Sequence, residues 1–282
     1  MPELPEVETV RRVLEPRLLG RRFIAAVLEW PATVVYPSAE AFRSHLPGRA
    51  INTLDRRGKF LIVGLDDSSQ LIAHLRMTGS LQLWPQDAPL VPYTRNRLLL
   101  SDGEELRFVD LRKFGQLWLI EPWEHDLLPY RTLGPEPLAP DFTSSLLAER
   151  LQQHHRAIKA TLLDQTVVAG LGNIYTDEAL WEARLHPAVS SASLSTEAVQ
   201  RLHVAIISVI QRGIANLGTS YRDFVGPLGV RGSNFEELRV WGRAGALCPR
   251  CGRAIAKIRC AGRGTHVCLI CQLDPSGHNS AN

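Results

Sequence analysis

The chain lacks any run of about 18 apolar residues, so the sequence offers no candidate for a membrane-spanning helix. Its first residues also lack the basic segment followed by an apolar segment that marks a secretory signal. Repeats are absent, and there is little low-complexity sequence. We therefore expect a cytoplasmic globular protein. With 282 residues, of which 45% are hydrophobic and 22% are charged, two domains could each have a core.

A strong net charge is also missing, since the chain carries only +3. The charge is unevenly distributed, however. Residues 228–282 hold eight Arg or Lys and three Asp or Glu, whereas the rest of the chain is close to neutral. A basic C-terminal module suits a polyanion such as nucleic acid. An ordinary solvated surface explains the same charge equally well, so charge alone leaves both interpretations open.

Cysteine is scarce, but four of the five cysteines are spaced like metal ligands. Cys248 and Cys251 form one pair, and Cys268 and Cys271 form a second, each with two residues in between. This is the spacing of a zinc ribbon, and zinc is favoured over disulfides in the cytoplasm. Four thiolates complete a tetrahedral shell, so we predict one structural zinc ion. Cys260 is left over and is expected to be a small packed side chain.

The N-terminus places a proline directly after the initiator methionine. Once Met1 is removed, the secondary amine of Pro2 can attack an electrophilic carbon and form an iminium. Glu3 can then supply a proton. A flexible proline-rich start is the alternative, but a helix-like segment, Val7–Leu19, follows at once. We therefore expect covalent catalysis from the terminus; a retained Met1 would make Pro2 an amide and exclude it.

The first half of the chain is rich in short strand signals, and the second half in helical spacing. The strands are predicted at residues 23–27, 51–55, 60–65, 70–75, 97–101, 105–109 and 116–120. They favour an antiparallel β-sandwich with one leading helix. The predicted boundaries are a catalytic domain at 1–132, a proline-punctuated linker at 133–141, a helical DNA-binding domain at 142–227, a loop with a zinc hairpin at 228–275, and a tail at 276–282.

Two loops carry groups suited to phosphate. Arg263 lies between two glycines at a predicted hairpin tip, where a guanidinium can bind phosphate bidentately. Asn173 follows Gly170 and Gly172 as a candidate helix N-cap, and a helix start can bind an anion. An exposed turn arginine and a plain capping asparagine are the structural alternatives.

Several motifs resemble those of the formamidopyrimidine-DNA glycosylase family, bacterial base-excision repair enzymes for oxidised purines. The opening Met-Pro-Glu-Leu-Pro-Glu-Val-Glu-Thr is one, and Gly-Leu-Gly-Asn-Ile-Tyr at 170–175 is another. Others are Arg-Arg-Gly-Lys-Phe at 56–60, His-Leu-Arg-Met-Thr-Gly at 74–79, Asp-Leu-Arg-Lys-Phe-Gly at 110–115 and Gly-Arg-Gly-Thr-His at 262–266. The resemblance covers residues 1–272.

The resemblance implies an α+β protein of two lobes: an antiparallel β-sandwich, then a helix–two-turn–helix domain with a zinc-ribbon hairpin, with DNA in the cleft between them. It implies excision of 8-oxoguanine or formamidopyrimidine opposite cytosine, followed by β- and δ-elimination. The expected partner is double-stranded DNA with oxidised bases or abasic sites, bound by a monomer. Zinc is the only cofactor expected.

The resemblance also assigns site residues. The catalytic set is Pro2, Glu3, Lys59 and Arg263. The DNA-binding set is His74, Met77, Arg112, Phe114, Lys159, Asn173 and Tyr175. The lesion pocket is expected at Glu178, Thr219, Ser220 and Tyr221. Met77 would fill the space left by the flipped base, Arg112 would pair with the orphaned cytosine and Phe114 would wedge into the stack. Taken alone, Met77 is more often core filler, Lys59 could be an ordinary basic strand end, and a structural role stays open for Glu178.

The sequence departs from the family pattern at several positions. Arg76 stands for the usual Gly, Leu111 for Pro and Lys113 for Arg, and residues 95–97 and 232–235 also differ. The last of these lie in the loop expected to cover the lesion, so lesion preference is the least determined property. The rivals are an endonuclease VIII-like enzyme for oxidised pyrimidines, which Leu4 disfavours, and an inactive damaged-DNA binder, which Pro2 and Glu3 disfavour.

Overall fold

The computed structural model describes residues 1–220, 226–229 and 231–273. The chain forms two compact units, one of Met1–Arg131 with Ile214–Phe235 and one of Thr132–Gly213 with Glu236–Asn282. Residues 214–235 therefore belong to the first unit, whereas the sequence assigned 214–227 to the helical domain. Hydrogen bonds explain the difference, because the Thr219 N–H donates to Glu6 at 2.7 Å and the Leu83 N–H donates to the Pro227 carbonyl at 3.0 Å.

Residues 1–131 of the first unit form two sheets and two α-helices. Its elements in chain order are α1 (Leu4–Leu18), β1 (Phe23–Leu28), β2 (Val34–Tyr36), α2 (Ala39–His45), β3 (Ile51–Arg57), β4 (Phe60–Leu65), β5 (Gln70–His74), β6 (Gly79–Pro85), β7 (Thr94–Leu100), β8 (Glu104–Asp110) and β9 (Gln116–Ile120). One sheet has the order β1-β7-β8-β6 and the other β2-β9-β5-β4-β3. Their strands pair antiparallel, except that β2 runs parallel to β9.

One apolar core joins both sheets to α1, as the predicted sandwich requires. Val10 and Leu14 of α1 are fully buried in it, together with Leu61 of β4 and Phe108 of β8. The apolar residues of α1 recur at helical spacing, which turns one side of the helix onto the sandwich. This packing fixes the helix whose first turn carries the N-terminus.

All the predicted strands are present, with ends within three residues of the prediction. The sequence missed β2, β6 and α2. β2 has only three residues, and β6 begins at Gly79 and ends at Pro85, both of which weaken a strand signal. The short helix α2 is capped by Ser38, whose hydroxyl oxygen accepts the Ala41 N–H at 3.1 Å.

The second unit combines helices with a two-stranded hairpin. The remaining elements are α3 (Ser144–Gln152), α4 (Ile158–Leu162), α5 (Asn173–Glu182), α6 (Thr196–Ala215), α7 (Asn234–Glu237), β10 (Ala256–Cys260) and β11 (Arg263–Val267). Helix α5 is central to this unit, since every residue from Ile174 to Trp181 is buried. Among the described residues, none of the helices has the length and apolar character needed to cross a membrane.

Candidate nucleic-acid interface and zinc centre

The N-terminus is fixed by packing. Helix α1 begins at Leu4, three residues earlier than predicted, with Glu3 at its N-cap position and Pro5 in its first turn. The Glu3 side chain is 1% exposed, and its backbone N–H donates to Oε2 of Glu6 at 2.8 Å. Pro2 is buried beside it. A proton donor and the candidate nucleophile are thus held at a helix start rather than on a flexible tail.

Glu6 also ties the terminus to the segment predicted to form the lesion pocket. Its Oε1 accepts the Thr219 backbone N–H at 2.7 Å, while the Thr219 hydroxyl oxygen accepts a bond from the Asn234 side chain at 2.8 Å. The Ser220 hydroxyl oxygen accepts the Gly232 N–H at 2.9 Å. Sequence reasoning missed Glu6, although a glutamate three residues after the N-cap is a known capping signal. Tyr221, the last predicted pocket residue, lies outside the described residues.

Lys59 and His74 occupy neighbouring positions in the five-stranded sheet. Lys59 lies in the turn from β3 to β4, and Phe60 after it pairs with His74 on β5, with ring centroids 4.7 Å apart. Burial and then the positive charges of Arg76 and Lys59 lower the pKa of His74 to about 3. The imidazole is therefore neutral near pH 7. Its Nδ1 accepts the Arg76 N–H at 3.0 Å, which leaves the proton on Nε2.

Two loops of the first unit present exposed apolar side chains. Met77 is 39% exposed and Phe114 is 50% exposed, so Met77 is not core filler. The guanidinium carbon of Arg112 lies 4.8 Å from the centre of the Phe114 ring. Apolar groups held at the surface are suited to filling a gap in a base stack.

One buried carboxylate joins these two loops. Asp110 accepts the Gly115 N–H at 2.7 Å and the Arg112 N–H at 3.1 Å, and it also accepts the hydroxyl of Thr78, the residue after Met77. Substituting the glycine at 115 would place a Cβ 2.3 Å from the Phe108 ring. The loop conformation that presents Phe114 is therefore determined by its neighbours.

The terminus and the two loops share one groove. Met1, Arg76, Met77, Lys113 and Phe114 line a cavity of about 490 Å³ in the first unit. Pro2, the candidate nucleophile, is the buried residue that directly follows Met1 in the chain. The geometry thus brings together two groups of residues that the sequence placed far apart.

In the second unit, the structure corrects the expectation for Asn173. Gly172 occupies the N-cap position of α5, and Asn173 is the first residue of the helix. Its side-chain amide donates instead to the Gly264 carbonyl at 3.1 Å. Arg263 is exposed at the start of β11, directly after the turn at Ala261 and Gly262, where both residues have positive φ. The predicted hairpin tip is present, and Asn173 contacts it.

Three other predicted contact residues are buried. Lys159 is 0% exposed, and its Nζ lies 2.6 Å from Oδ1 of Asp177. In this structure the lysine therefore offers no surface to a phosphate, which differs from the predicted DNA contact. Tyr175 is buried against Gly213. Glu178 accepts backbone N–H bonds from residues 239, 240 and 241 at 2.8 to 2.9 Å, and burial raises its pKa. The structural role left open for Glu178 fits this geometry better than a lesion contact does.

Cys248, Cys251, Cys268 and Cys271 form a structural zinc site. Their sulfur atoms all lie within 4.8 Å of one another, with Cys251 and Cys268 3.4 Å apart and Cys248 and Cys271 3.9 Å apart. A tetrahedral zinc ion with bonds of about 2.3 Å places its sulfurs roughly 3.8 Å apart, so the donor set fits. Burial and the three neighbouring sulfurs raise the pKa of Cys271 to about 12, so the cluster needs a cation to hold four thiolates.

Three family models match successive parts of the chain. They are described as the formamidopyrimidine-DNA glycosylase N-terminal domain over residues 1–117, the formamidopyrimidine-DNA glycosylase H2TH domain over residues 133–225, and the zinc finger found in FPG and IleRS over residues 245–273. Together they span both units and the cysteine cluster.

Individual proteins are similar over nearly the whole chain. The formamidopyrimidine-DNA glycosylase of Symbiobacterium thermophilum is 45% identical over 278 residues, which cover 98% of this chain and 91% of the relative. That of Moorella thermoacetica is 48% identical over 260 residues, covering 92% and 95%. The structure of Lactococcus lactis Fpg with DNA containing an abasic site superposes with a TM-score of 0.90 at 41% identity, covering 96% of this chain and 100% of that chain. A second Lactococcus lactis complex contains an N7-benzyl-Fapy-dG DNA and superposes with a TM-score of 0.90 at 42% identity, covering 97% and 100%.

Proposed function

Since the chain belongs to the formamidopyrimidine-DNA glycosylase family, we propose that it excises oxidised purines from duplex DNA and then cuts the strand at the abasic site. The relatives are named formamidopyrimidine-DNA glycosylase, and the Lactococcus lactis structures contain abasic or formamidopyrimidine DNA. The substrate class proposed for this chain is duplex DNA with 8-oxoguanine or formamidopyrimidine opposite cytosine. Its proposed location is the bacterial cytoplasm, where the chromosome lies.

The proposed reaction starts from the Pro2 amine after removal of Met1. The nitrogen attacks C1′ of the flipped nucleotide, the glycosidic bond breaks and the base leaves. Glu3 protonates the sugar ring oxygen as the ring opens, which gives the iminium between Pro2 and C1′. Loss of a C2′ proton then expels the 3′ phosphate, and a second elimination expels the 5′ phosphate.

The observation that carries this proposal is the shared groove of the terminus and the plug loops. A base can be held out of the helix only if its place in the stack is filled, because extrusion costs a few kcal/mol. Met77 and Phe114 are exposed beside Met1 and are suited to that task. Attack at C1′ requires the amine close to the same nucleotide, and Pro2 is the next residue of the chain.

Phosphate binding is proposed for groups in both units. His74 offers Nε2–H and Lys59 its amine in the first unit, and Arg263 offers an exposed guanidinium in the second. Phosphate contacts position DNA without reading its sequence. Such contacts fit an enzyme that must inspect every sequence for damage.

Borohydride trapping tests the proposal. The protein, with its N-terminus checked by intact mass, is mixed with duplex containing 8-oxoguanine opposite cytosine and reduced with sodium borohydride. We expect a covalent protein–DNA band that requires damage and is lost in Pro2→Gly. A protein with free Pro2 that binds the damaged duplex but forms no band would be a damage binder and not an enzyme. Faster trapping on a thymine glycol duplex than on 8-oxoguanine would favour the pyrimidine-specific alternative.

A further inference from the structure

A buried ion pair lies between helix α5 and the hairpin that carries Arg263. Asp177 is 1% exposed, and its Oδ1 lies 2.6 Å from Nζ of Lys159, which is also buried. The second carboxylate oxygen of Asp177 accepts the backbone N–H of His266 at 2.9 Å. Asp177 therefore binds a residue of α4 and a residue of β11 with its two oxygens.

Lys159 extends the same connection along the hairpin. Its Nζ donates to the Thr265 hydroxyl at 2.8 Å and lies 3.4 Å from the Gly264 carbonyl. The side-chain amide of Asn173 reaches that same carbonyl at 3.1 Å. Residues 264, 265 and 266 are therefore all bonded to side chains of α4 and α5, and they come directly after Arg263.

Arg263 lies at the turn end of the ladder between β10 and β11. Its backbone pairs with Cys260 across the turn, and its carbonyl accepts the Thr265 hydroxyl at 3.1 Å, while its side chain is exposed. The second pair of zinc cysteines begins at Cys268, directly after the end of β11 at Val267. The strand between Arg263 and the metal is thus held by β10 on one side and bonded to Asp177 and Lys159 through side chains.

Burial makes this connection rigid. Removing one partner of a buried ion pair leaves an uncompensated charge, so the pair strongly favours a single arrangement of the groups around it. A guanidinium binds phosphate well only when its planar fork meets the oxygens correctly. A small shift of residues 264–266 would therefore weaken the contact without removing any DNA-binding side chain.

We propose that Asp177 is a positioning residue for Arg263: through Lys159 and His266 it fixes the hairpin so that the guanidinium meets a DNA phosphate. This rests on the proposed function, in which Arg263 binds DNA. Asp177 itself touches no DNA in this proposal, and Lys159 acts with it rather than as a DNA ligand.

A double-mutant cycle tests the proposal. Asp177→Asn, Arg263→Ala and the double variant are compared as full-length proteins in binding to an abasic-analogue duplex across a salt series. We expect Asp177→Asn to lower affinity about tenfold and to flatten the salt slope toward that of Arg263→Ala. The double variant should bind no more than about twofold worse than Arg263→Ala, because the two substitutions remove the same contact.

Glu178→Gln is the matched control. It changes the next residue of α5, also a buried carboxylate, but one that bonds to residues 239–241 rather than to the hairpin. Its effect on DNA binding should add to that of Arg263→Ala. Zinc content is measured for every variant. If Asp177→Asn loses zinc or fails to fold, Thr265→Val takes its place in the same cycle with a smaller expected loss, since it removes a hydroxyl that is bonded both to Lys159 and to the Arg263 carbonyl.

The outcomes distinguish a failure of the positioning role of Asp177 from a failure of the proposed DNA contact of Arg263. Full additivity of Asp177→Asn with Arg263→Ala, or an unchanged salt slope in Asp177→Asn, means that Asp177 contributes only to stability and overturns the positioning role alone. An Arg263→Ala variant that binds damaged DNA like the unaltered protein overturns the proposed DNA contact and the positioning role together.

Discussion

The carboxylate of Glu6 accepts a hydrogen bond from the backbone N–H of Thr219, a residue 213 positions later in the chain. The other carboxylate oxygen accepts the N–H of Glu3. A single buried side chain, 1% exposed, therefore holds the start of α1 and Thr219, the first residue of the predicted lesion loop. The proposed proton donor and the proposed pocket are connected through Glu6.

Glu6→Gln should disturb both ends of this connection. An amide offers one oxygen, so one of the two N–H donors would face an NH2 group and lose its acceptor, at a cost of about 1–3 kcal/mol. We expect lower stability and slower borohydride trapping, with DNA affinity changed less. Denaturant unfolding and single-turnover trapping measure the two effects. The control Glu15→Gln alters a more exposed glutamate of the same helix, which pairs with Arg11 at 2.8 Å, and should stay within about 0.5 kcal/mol of the parent.

Pro2→Gly and Glu3→Gln should fail at different steps. Glycine replaces the secondary amine of Pro2 with a primary amine and alters the start of helix α1. Borohydride trapping should therefore fall sharply. Glutamine keeps the shape of Glu3 but carries no acidic proton, so base excision should be lost while DNA affinity is retained. Excision assays and binding to an abasic-analogue duplex distinguish these results. An active preparation in which sequencing finds Met1 intact would exclude Pro2 as the nucleophile.

Loss of zinc should weaken DNA binding by the hairpin. Cys248→Ser or Cys271→Ser removes one of the four ligands. The zinc content found by metal analysis should therefore fall from one ion per chain toward none. DNA affinity should fall with it, since Arg263 lies on the hairpin between the two cysteine pairs. Cys260→Ser is the matched control, because Cys260 is not in the cluster, and it should keep the metal. Zinc-free protein that binds DNA normally would contradict this link.

The low pKa of His74 predicts a pH dependence of stability. Burial and the charges of Arg76 and Lys59 lower this pKa from 6.5 to about 3. Between these two pH values the imidazole is neutral in the folded state and protonated in the unfolded state. The free energy of unfolding should therefore fall as the pH decreases from about 6.5 to about 3, by at most about 1.4 kcal/mol per pH unit from this group. Above pH 6.5 the group contributes no slope. His74→Gln should reduce the slope between pH 7 and pH 5, and equal slopes in urea unfolding would contradict the assignment.

The sequence predicted those features that depend on local spacing. The strands, the leading helix and the zinc ligands follow from alternation, helical periodicity and the paired cysteines, and the family resemblance is confirmed by the comparisons. The residues themselves suggested Asn173 as the N-cap of α5, but the N-cap position belongs to Gly172; the phosphate contact that the resemblance implies for Asn173 stays a prediction. A short run such as Gly-Leu-Gly-Asn allows either residue to cap, and only the neighbouring Gly264 carbonyl decides where the amide points.

Contacts between distant segments were not predictable in this way. Nothing in the sequence near Lys159 indicates that Asp177 will neutralise it, so the lysine resembles a surface DNA ligand until its burial is seen. The sequence likewise does not indicate that Glu6 will accept a hydrogen bond from Thr219. Nor does it indicate that the carboxylate of Asp110 will bond to both Thr78 and Gly115. Buried polar groups need partners, but the sequence does not say which ones.

The proposed phosphate contacts and the proposed plug should respond differently to salt. Each phosphate contact releases counterions, so Arg263→Ala should weaken binding of damaged and plain duplex alike and reduce the salt slope by about one unit. Met77→Ala and Phe114→Ala remove uncharged groups and should leave the slope nearly unchanged. They should instead slow excision from duplex and lower the preference for damaged over plain DNA, because the flipped state loses its filler.

Arg112→Ala provides the third arm of this experiment. A guanidinium only donates hydrogen bonds and therefore suits the acceptors of cytosine, so its loss should relax the preference for cytosine opposite the lesion. Part of its effect should resemble Phe114→Ala, since the Arg112 guanidinium lies over that ring. Binding across a salt series and single-turnover excision with each opposing base measure all four variants. A Phe114→Ala variant with a flatter salt slope and normal excision would show that the exposed ring does not act as a plug.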